Sequence, residues 1–311
     1  EFFMIRVASL KDMVNARYEK TDIAGMTPSE QLQELGKAIH NLVDLQYSTW
    51  NRSLVPKLAQ SGLKLVKCHE ELTEKEAAFV DRYFEENVYP VLTPMAVDSS
   101  RPFPLVRNKT LNIAALVQKK KDKGELEFAT VQVPGVLNRV IELPSEGRAK
   151  KIILLEEMIE RNMHKLFLNY DIVCAHPFRV MRNADLTIEE DEAADLLKEI
   201  EKQIKKRQWG EAIRLEVEAG CDRRLLDILR RELHIEEENI YEIDGPLDLT
   251  VCMKLYGLDG FEHLKTPKYI PQQVPELPAG CSIFEKIREK DILLHHPHDL
   301  YTILCIIIAL L

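Results

Sequence analysis

Three histidines stand within four residues near the carboxyl-terminal end of the sequence. His295 and His296 are adjacent, and His298 follows Pro297. Imidazole nitrogen is a common metal ligand, so this run is compatible with a metal site. However, neighbouring side chains point in different directions, and the proline stiffens the turn. The sequence therefore favours a local structural role for these histidines, and we predict no metal ligand among them.

Three groups of basic residues have the charge to bind a polyanion. They are Lys119, Lys120, Lys121 and Lys123; Lys202, Lys205, Lys206 and Arg207; and Arg223, Arg224, Arg230 and Arg231. Such runs are usually solvated faces balanced by nearby acids. The second group lies on a helix predicted for Glu189–Arg207, which carries seven acidic residues of its own. The pattern favours internal charge balance for each group.

Three arginines lie on two predicted strands. Arg179 and Arg182 belong to Phe178–Arg182, and Arg214 belongs to Ala212–Val217. Because side chains alternate along a strand, Arg179 and Arg182 point to opposite faces. A guanidinium at a strand end suits a phosphate or a carboxylate. We predict that Arg179, Arg182 and Arg214 make polyanion or interface contacts, and an internal ion pair is an equal alternative.

Common catalytic motifs are absent from the sequence. It contains no P-loop, no GxGxxG, no HExxH and no GxSxG. The six cysteines form no CxxC pair, which argues against a zinc or redox motif and is typical of thiols in a reducing compartment. Motifs alone therefore indicate a non-catalytic module.

The bulk composition is that of an ordinary globular protein. The 311 residues are 45% hydrophobic and carry a formal net charge of −9. This charge disfavours nucleic acid as the partner of the whole chain. No basic segment of the signal-peptide type opens the sequence, and the apolar run 303–311 is shorter than the roughly 20 residues of a membrane span. We expect a cytoplasmic protein.

The elements that position these residues divide the sequence into three parts. Helical periodicity and two helix-start patterns, at Thr27–Glu30 and Thr73–Glu76, predict an all-α amino-terminal helical domain at residues 1–89. Alternating strands and helices predict an α+β domain at 90–278, which ends in a proline-rich stretch. A new unit begins within residues 279–311. The fold class is therefore multidomain.

Within the second part, a hairpin is the clearest prediction. Leu111–Val117 and Glu127–Val133 read as strands, and the polar segment Lys119–Gly124 joins them. A helix is expected after Ile152–Leu155, and another at Cys221–Leu233.

Both ends of the sequence look like internal segments. Glu1–Arg6 is apolar and has no helix-start signal, and Ile306–Leu311 has no polar residue to close it. Because natural termini seldom expose such stretches, we expect the sequence to be a fragment of a longer protein.

Several segments match known motifs in chain order. They are Glu1–Arg6 (EFFMIR), Arg101–Pro104 (RPFP) with Leu111–Ala114 (LNIA), Phe178–Leu186 (FRVMRNADL), Gly210–Glu216 (GEAIRLE), Asp244–Thr250 (DGPLDLT) with Met253–Tyr256 (MKLY), and Ile287–Pro297 (IREKDILLHHP). Together they resemble the polyphosphate kinase family, over nearly the whole chain to about residue 299.

The resemblance implies an ATP-polyphosphate phosphotransferase, a phosphoprotein that works through a phosphohistidine and magnesium. It implies a helical amino-terminal domain, a head domain used for dimerisation, and two carboxyl-terminal domains similar to phospholipase D. Residues 90–278 correspond to the head, and residues 279–311 to the truncated beginning of the first α/β catalytic domain. A histidine nucleophile divides one transfer between polyanions into two easier steps.

For this chain, the resemblance implies no catalytic, cofactor-binding or metal residues. The nucleophile and the magnesium ligands belong to the last two domains, and His295 and His296 match the structural opening of the first of them. We therefore expect this chain to supply a wall of the nucleotide pocket and the homo-oligomer surfaces of a longer enzyme. By itself it should hold no ATP or magnesium and should be inactive. The alternative is a non-catalytic dimerisation or polyanion-binding module.

Overall fold

The computed structural model describes residues 2–97, 103–121, 124, 126–145, 149–184, 210–278, 281–295 and 299–300. These form two compact units, Glu1–Leu255 and Tyr256–Leu311. The helix predicted for Glu189–Arg207, together with Lys123, His296, His298 and the apolar run 303–311, lies outside the described ranges.

The first unit contains most of the secondary structure. Its helices are α1 (Ala8–Asn15), α2 (Pro28–Thr49), α3 (Val55–Gln60), α4 (Glu74–Tyr83), α5 (Leu155–Arg161), α6 (Met163–Leu166), α7 (Arg223–Leu233) and α8 (Val251–Tyr256), the last of which ends at the first residue of the second unit. Its strands are β1 (Leu63–Leu65), β2 (Pro94–Val97), β3 (Leu111–Lys119), β4 (Glu127–Gln132), β5 (Val140–Leu143), β6 (Lys150–Leu154), β7 (Tyr170–Arg182), β8 (Ala212–Glu218) and β9 (Ile240–Ile243). A π-helical turn, Phe3–Val7, precedes α1.

Both predicted helix starts are confirmed. At the start of α2, the Glu30 main-chain N–H donates to Thr27 Oγ1 at 3.3 Å, and the Thr27 N–H donates to Glu30 Oε2 at 2.8 Å. At the start of α4, Thr73 and Glu76 make the same reciprocal pair, at 3.4 and 2.9 Å. Each pair satisfies two main-chain donors that a helix start leaves open.

The described strands of the first unit form two sheets. The larger has the order β2-β4-β3-β7-β8-β9, antiparallel throughout except for the parallel pair β8 and β9. The predicted hairpin of β3 and β4 is confirmed, with Ala115 opposite Ala129. The smaller sheet has the order β1-β6-β5.

The prediction that residues 1–89 are all helical is wrong at β1. Leu63 pairs with Lys150 and Leu65 with Ile152, in parallel with β6. Leu63 is buried, and Val66 extends the pairing through its N–H bond to Ile152 O at 2.8 Å. A strand of three residues is too short to show a period, so only its distant partner fixes its conformation.

The larger sheet has a hydrophobic core on each face. Ile113 and Val117 of β3 pack into one core with α4 and α5, while Ala114 and Leu116 pack into the other with α7. Because both faces are covered, β3 is apolar at nearly every position.

The first of these cores contains residues from both sides of position 90. Val80 and Phe84 are fully buried there with Val131 and Met158. The domain boundaries at residues 89 and 278 stay predictions.

The second unit is smaller and mostly irregular. Its described elements are a 3₁₀ turn (Glu262–Leu264), a helix α9 (Ile283–Glu289), and two short parallel strands, β10 (Gln272–Gln273) and β11 (Asp299–Leu300). No helix in the described ranges of either unit has the length and apolar character that crossing a membrane requires.

We expect Thr73→Ala to destabilise the protein by about 1 kcal/mol, because it leaves a main-chain donor of α4 without its partner. Thr73→Ser keeps the accepting hydroxyl and is the matched control. Urea unfolding followed by circular dichroism measures both variants. Equal stability of the two would contradict a capping role for the Thr73 side chain.

Candidate functional site

A buried carboxylate joins two of the predicted arginines. Arg179 of β7 lies directly opposite Glu216 of β8, and Arg214 lies two positions before Glu216 on the same strand. Glu216 Oε2 is 3.2 Å from Arg179 Nη1, and its Oε1 is 2.7 Å from Arg214 Nη2. The side chains are nearly buried: Arg179 is 11% exposed, Arg214 8% and Glu216 9%. Two guanidinium groups therefore share one carboxylate in a place that excludes most water.

Arg179 also links the sheet to two loops. Its Nε donates to Lys109 O at 3.2 Å, and its Nη2 lies 3.7 Å from Asp248 Oδ2. The loop that carries Asp248 is fixed a second time by Arg139, which donates to the carbonyls of Leu247 and Asp248. Of the alternatives left open by the sequence, an internal ion pair is found for both Arg179 and Arg214.

Aromatic rings enclose Arg214. Its guanidinium carbon lies 3.9 Å from the centre of the Tyr241 ring and 4.5 Å from that of Phe3. The His40 ring stacks on Tyr241, with centres 4.2 Å apart and planes 11° from parallel. Burial raises the pKa of Tyr241, and the positive charge of Arg214 only partly offsets this. Arg214 Nε is buried and has no hydrogen-bond partner within the described part of the chain, so cation–π contacts replace hydration on that side.

Arg182 lies apart from this pair. A register shift between Met181 and Arg182 interrupts the pairing of β7 with β8. Arg182 donates from Nε to Val106 O at 2.8 Å and from Nη1 to Gly210 O at 2.9 Å. Burial lowers its pKa. The structure thus brings Arg179 and Arg214 together and uses Arg182 to tie loops to the strand. Polyanion contacts by these three arginines stay a prediction. To make them, a polyanion would have to displace the carboxylate and carbonyl partners described above.

A cleft opens beside the aromatic group, between α1, α2 and the start of β9. Its volume is about 580 Å³, and its lining includes Phe3, Lys11, Lys37, His40 and Tyr241. The cleft therefore offers flat rings together with two amino groups. Such a surface suits a planar base carrying negative charge, because rings stack on bases and ammonium groups bind phosphate.

Sequence reasoning missed the cleft residues and Glu216. The spacing of Arg214 and Glu216 was a usable signal, since residues i and i+2 of a strand share a face. No local signal exists for the cleft: His40 Nε2 lies 3.0 Å from the carbonyl of Glu238, which is 198 positions away.

Most of the described basic residues in these groups pair with nearby acids, as expected, whereas Lys120 donates to the carbonyl of Leu168 at 3.1 Å. Pairs are formed by Lys119 with Glu127, Arg223 with Glu242, Arg224 with Asp222, Arg230 with Glu237, and Arg231 with Glu232.

Comparisons with known proteins agree on one family. A model described as the polyphosphate kinase middle domain matches residues 75–255, and a model of the polyphosphate kinase N-terminal domain matches residues 1–66. The chain is 44% identical over 303 residues to a polyphosphate kinase of Halalkalibacterium halodurans and 45% identical over 306 residues to one of Bacillus anthracis. Each match covers 96% of this chain and 43% of the relative.

The fold is similar to a solved structure. The crystal structure of polyphosphate kinase from Porphyromonas gingivalis matches with a TM-score of 0.74 at 20% identity, over 97% of this chain and 42% of that one. The chain therefore spans less than half the length of the relatives it matches.

We expect Glu216→Ala to destabilise the first unit by about 3 kcal/mol, because it leaves two buried guanidinium groups facing each other without a carboxylate. Glu242→Ala is the matched control: Glu242 lies on the neighbouring strand, but its contact with Arg223 is exposed and contributes under about 1 kcal/mol. Urea unfolding followed by circular dichroism compares them. Similar small losses in both variants would contradict a special role for Glu216.

Proposed function

Because the chain belongs to the polyphosphate kinase family, we propose that it is the amino-terminal part of an enzyme that transfers the terminal phosphate of ATP reversibly to inorganic polyphosphate. One observation carries the proposal: the N-terminal and middle domain models match in order, over residues 1–66 and 75–255.

The role of this chain in the reaction is to form one wall of the nucleotide pocket. The rings of Phe3 and His40 give the cleft the flat faces that a purine base stacks on, with Tyr241 buried behind His40, and Lys11 is placed to meet a phosphate. Lys37 is the weaker contact, because Glu34 already pairs with it at 2.8 Å. Arg214 acts indirectly by holding Tyr241 and Phe3 in place.

The transfer itself takes place on domains that the longer relatives possess. Magnesium takes oxygen ligands in near-octahedral geometry, whereas the cleft is lined by rings and amino groups with Glu238 as its single carboxylate. These residues do not fit a magnesium ion, and we assign no catalytic step to them. The phosphohistidine is likewise carried elsewhere, so the chain by itself transfers no phosphate.

The protein also assembles with copies of itself and works in the cytoplasm. We assign the homo-oligomer surface to residues 90–278, where β2 forms an edge of the six-stranded sheet. Edge strands offer unpaired main-chain groups to a second chain. We place the protein in the cytoplasm, where ATP is available.

We expect the 311-residue chain alone to release no ADP from ATP with magnesium and polyphosphate, and to acquire no acid-labile label from radioactive ATP. The intact Bacillus anthracis relative serves as the positive control. ADP release that persists after host kinases are removed would contradict the proposal that phosphate transfer requires the domains of the longer relatives.

A chimera tests the positive side of the proposal. Replacing the matching 43% of the Bacillus anthracis relative with this chain should give an enzyme that makes polyphosphate from ATP. In that chimera, Lys11→Gln should raise KM for ATP roughly fivefold, corresponding to about 1 kcal/mol of lost binding. Lys57→Gln, on the exposed face of α3, is the control. An unchanged KM in the Lys11 variant would remove the cleft from the nucleotide pocket.

A further inference from the structure

Three side chains that could hold a metal ion converge away from the cleft. Glu160 comes from α5, His176 from β7 and Glu218 from the last position of β8. His176 Nδ1 lies 2.8 Å from Glu218 Oε2. One nitrogen and two carboxylate oxygens from these residues all lie within 4.8 Å of one another.

The local structure explains why the helix contributes a carboxylate here. Glu156, Glu157 and Glu160 lie on adjoining positions of one face of α5, because residues three and four apart are neighbours on a helix. Arg139 neutralises Glu156 through paired hydrogen bonds, and His69 Nδ1 lies 3.7 Å from Glu157. Among the residues that the structure describes, Glu160 is left as the acid of this face without a basic partner.

Glu160 is an unpaired carboxylate among other acids. Within the described ranges, its side chain makes no hydrogen bond or ion pair. Burial, together with the nearby charges of Glu218, Glu157 and Glu70, raises the pKa of Glu160 to about 9. Burial also raises the pKa of Glu157. Beside the His176–Glu218 pair there is thus a third potential ligand, the Glu160 carboxyl, which no described side chain occupies.

We propose that Glu160, His176 and Glu218 bind one divalent first-row cation. Zinc and its neighbours take imidazole nitrogen and carboxylate oxygen at about 2.0–2.2 Å, which places the ligand atoms about 3 Å apart. The His176–Glu218 pair already has this spacing, and Glu160, whose ligand atom lies within 4.8 Å of the other two, must turn its side chain to adopt it. Three protein ligands leave further positions for water.

The cation ties α5 to the ends of two sheet strands and offsets the repulsion between Glu160 and Glu218. Its role is structural, since the ligands come from three elements that are distant in sequence. Binding requires a neutral imidazole and ionised carboxylates.

Manganese(II) is the probe, because carboxylate oxygen and imidazole nitrogen bind it while thiols bind it weakly. This choice matters because a second group, Cys68, His69 and Glu70, lies near Glu157 and could capture zinc. Burial raises the pKa of the Cys68 thiol to about 11, so that thiol stays protonated and binds metal poorly.

The test titrates Mn²⁺ into the 311-residue chain without nucleotide and follows free Mn²⁺ by electron paramagnetic resonance. We expect one ion per chain and at least tenfold weaker binding by Glu160→Gln and by Glu218→Gln. Glu142→Gln, which changes an exposed acid paired with Lys150, and Cys68→Ser should bind as the unchanged chain does. The absence of saturable binding, or binding that survives both ligand variants, would overturn the proposal.

Thermal unfolding gives a second readout. Mn²⁺ should raise the Tm of the unchanged chain and leave that of Glu160→Gln where it is. Without metal, Glu160→Gln should be at least as stable as the unchanged chain, because it removes an unpaired carboxylate. Loss of folding in this variant would show that Glu160 has a partner, which contradicts the premise of the site.

Discussion

The carboxylate of Glu216 is the constraint on which the first unit depends. Buried charges are tolerated only in the company of opposite charge and hydrogen bonds, and here one carboxylate serves both Arg179 and Arg214. Arg179 carries the connection to Asp248, and Arg214 carries it to Phe3 and Tyr241. The strand pair β7 and β8 thereby fixes a loop and the amino-terminal helical segment together.

This arrangement explains why the helices that open the chain depend on the sheet. An isolated helix of ordinary length is marginal in water and gains its stability from packing. Met4 O accepts the N–H of Ala184 at 3.0 Å, next to the end of β7. In α2, Tyr47 donates to Pro246 O at 2.8 Å and Asn51, just beyond it, to Asp244 O at 2.6 Å. These hydrogen bonds thus join the segments that match the two family models.

Local patterns predicted those elements whose cause is local. The caps at Thr27 and Thr73 and the strand at β8 need only a few neighbouring residues, and they are found as predicted. The sequence predicted strand β7 only from Phe178 onward, but the strand begins at Tyr170. Proline normally argues against an inner strand, so a strand that continues through Pro177 is not expected from the sequence. The Glu216 bridge and the cleft could not be predicted in full, since their members meet only after distant strands pair.

Two acids on one strand show how surroundings, rather than residue type, decide the role of a charge. Glu216 and Glu218 share a face of β8 because they are two positions apart. Glu216 faces two arginines and is neutralised, whereas Glu218 faces His176 and lies near the unpaired Glu160. Positive charge is therefore concentrated at the centre of the strand pair and deficient at the end where α5 packs. A cation at that end completes the same pattern of charge balance that Arg179 and Arg214 establish at the centre.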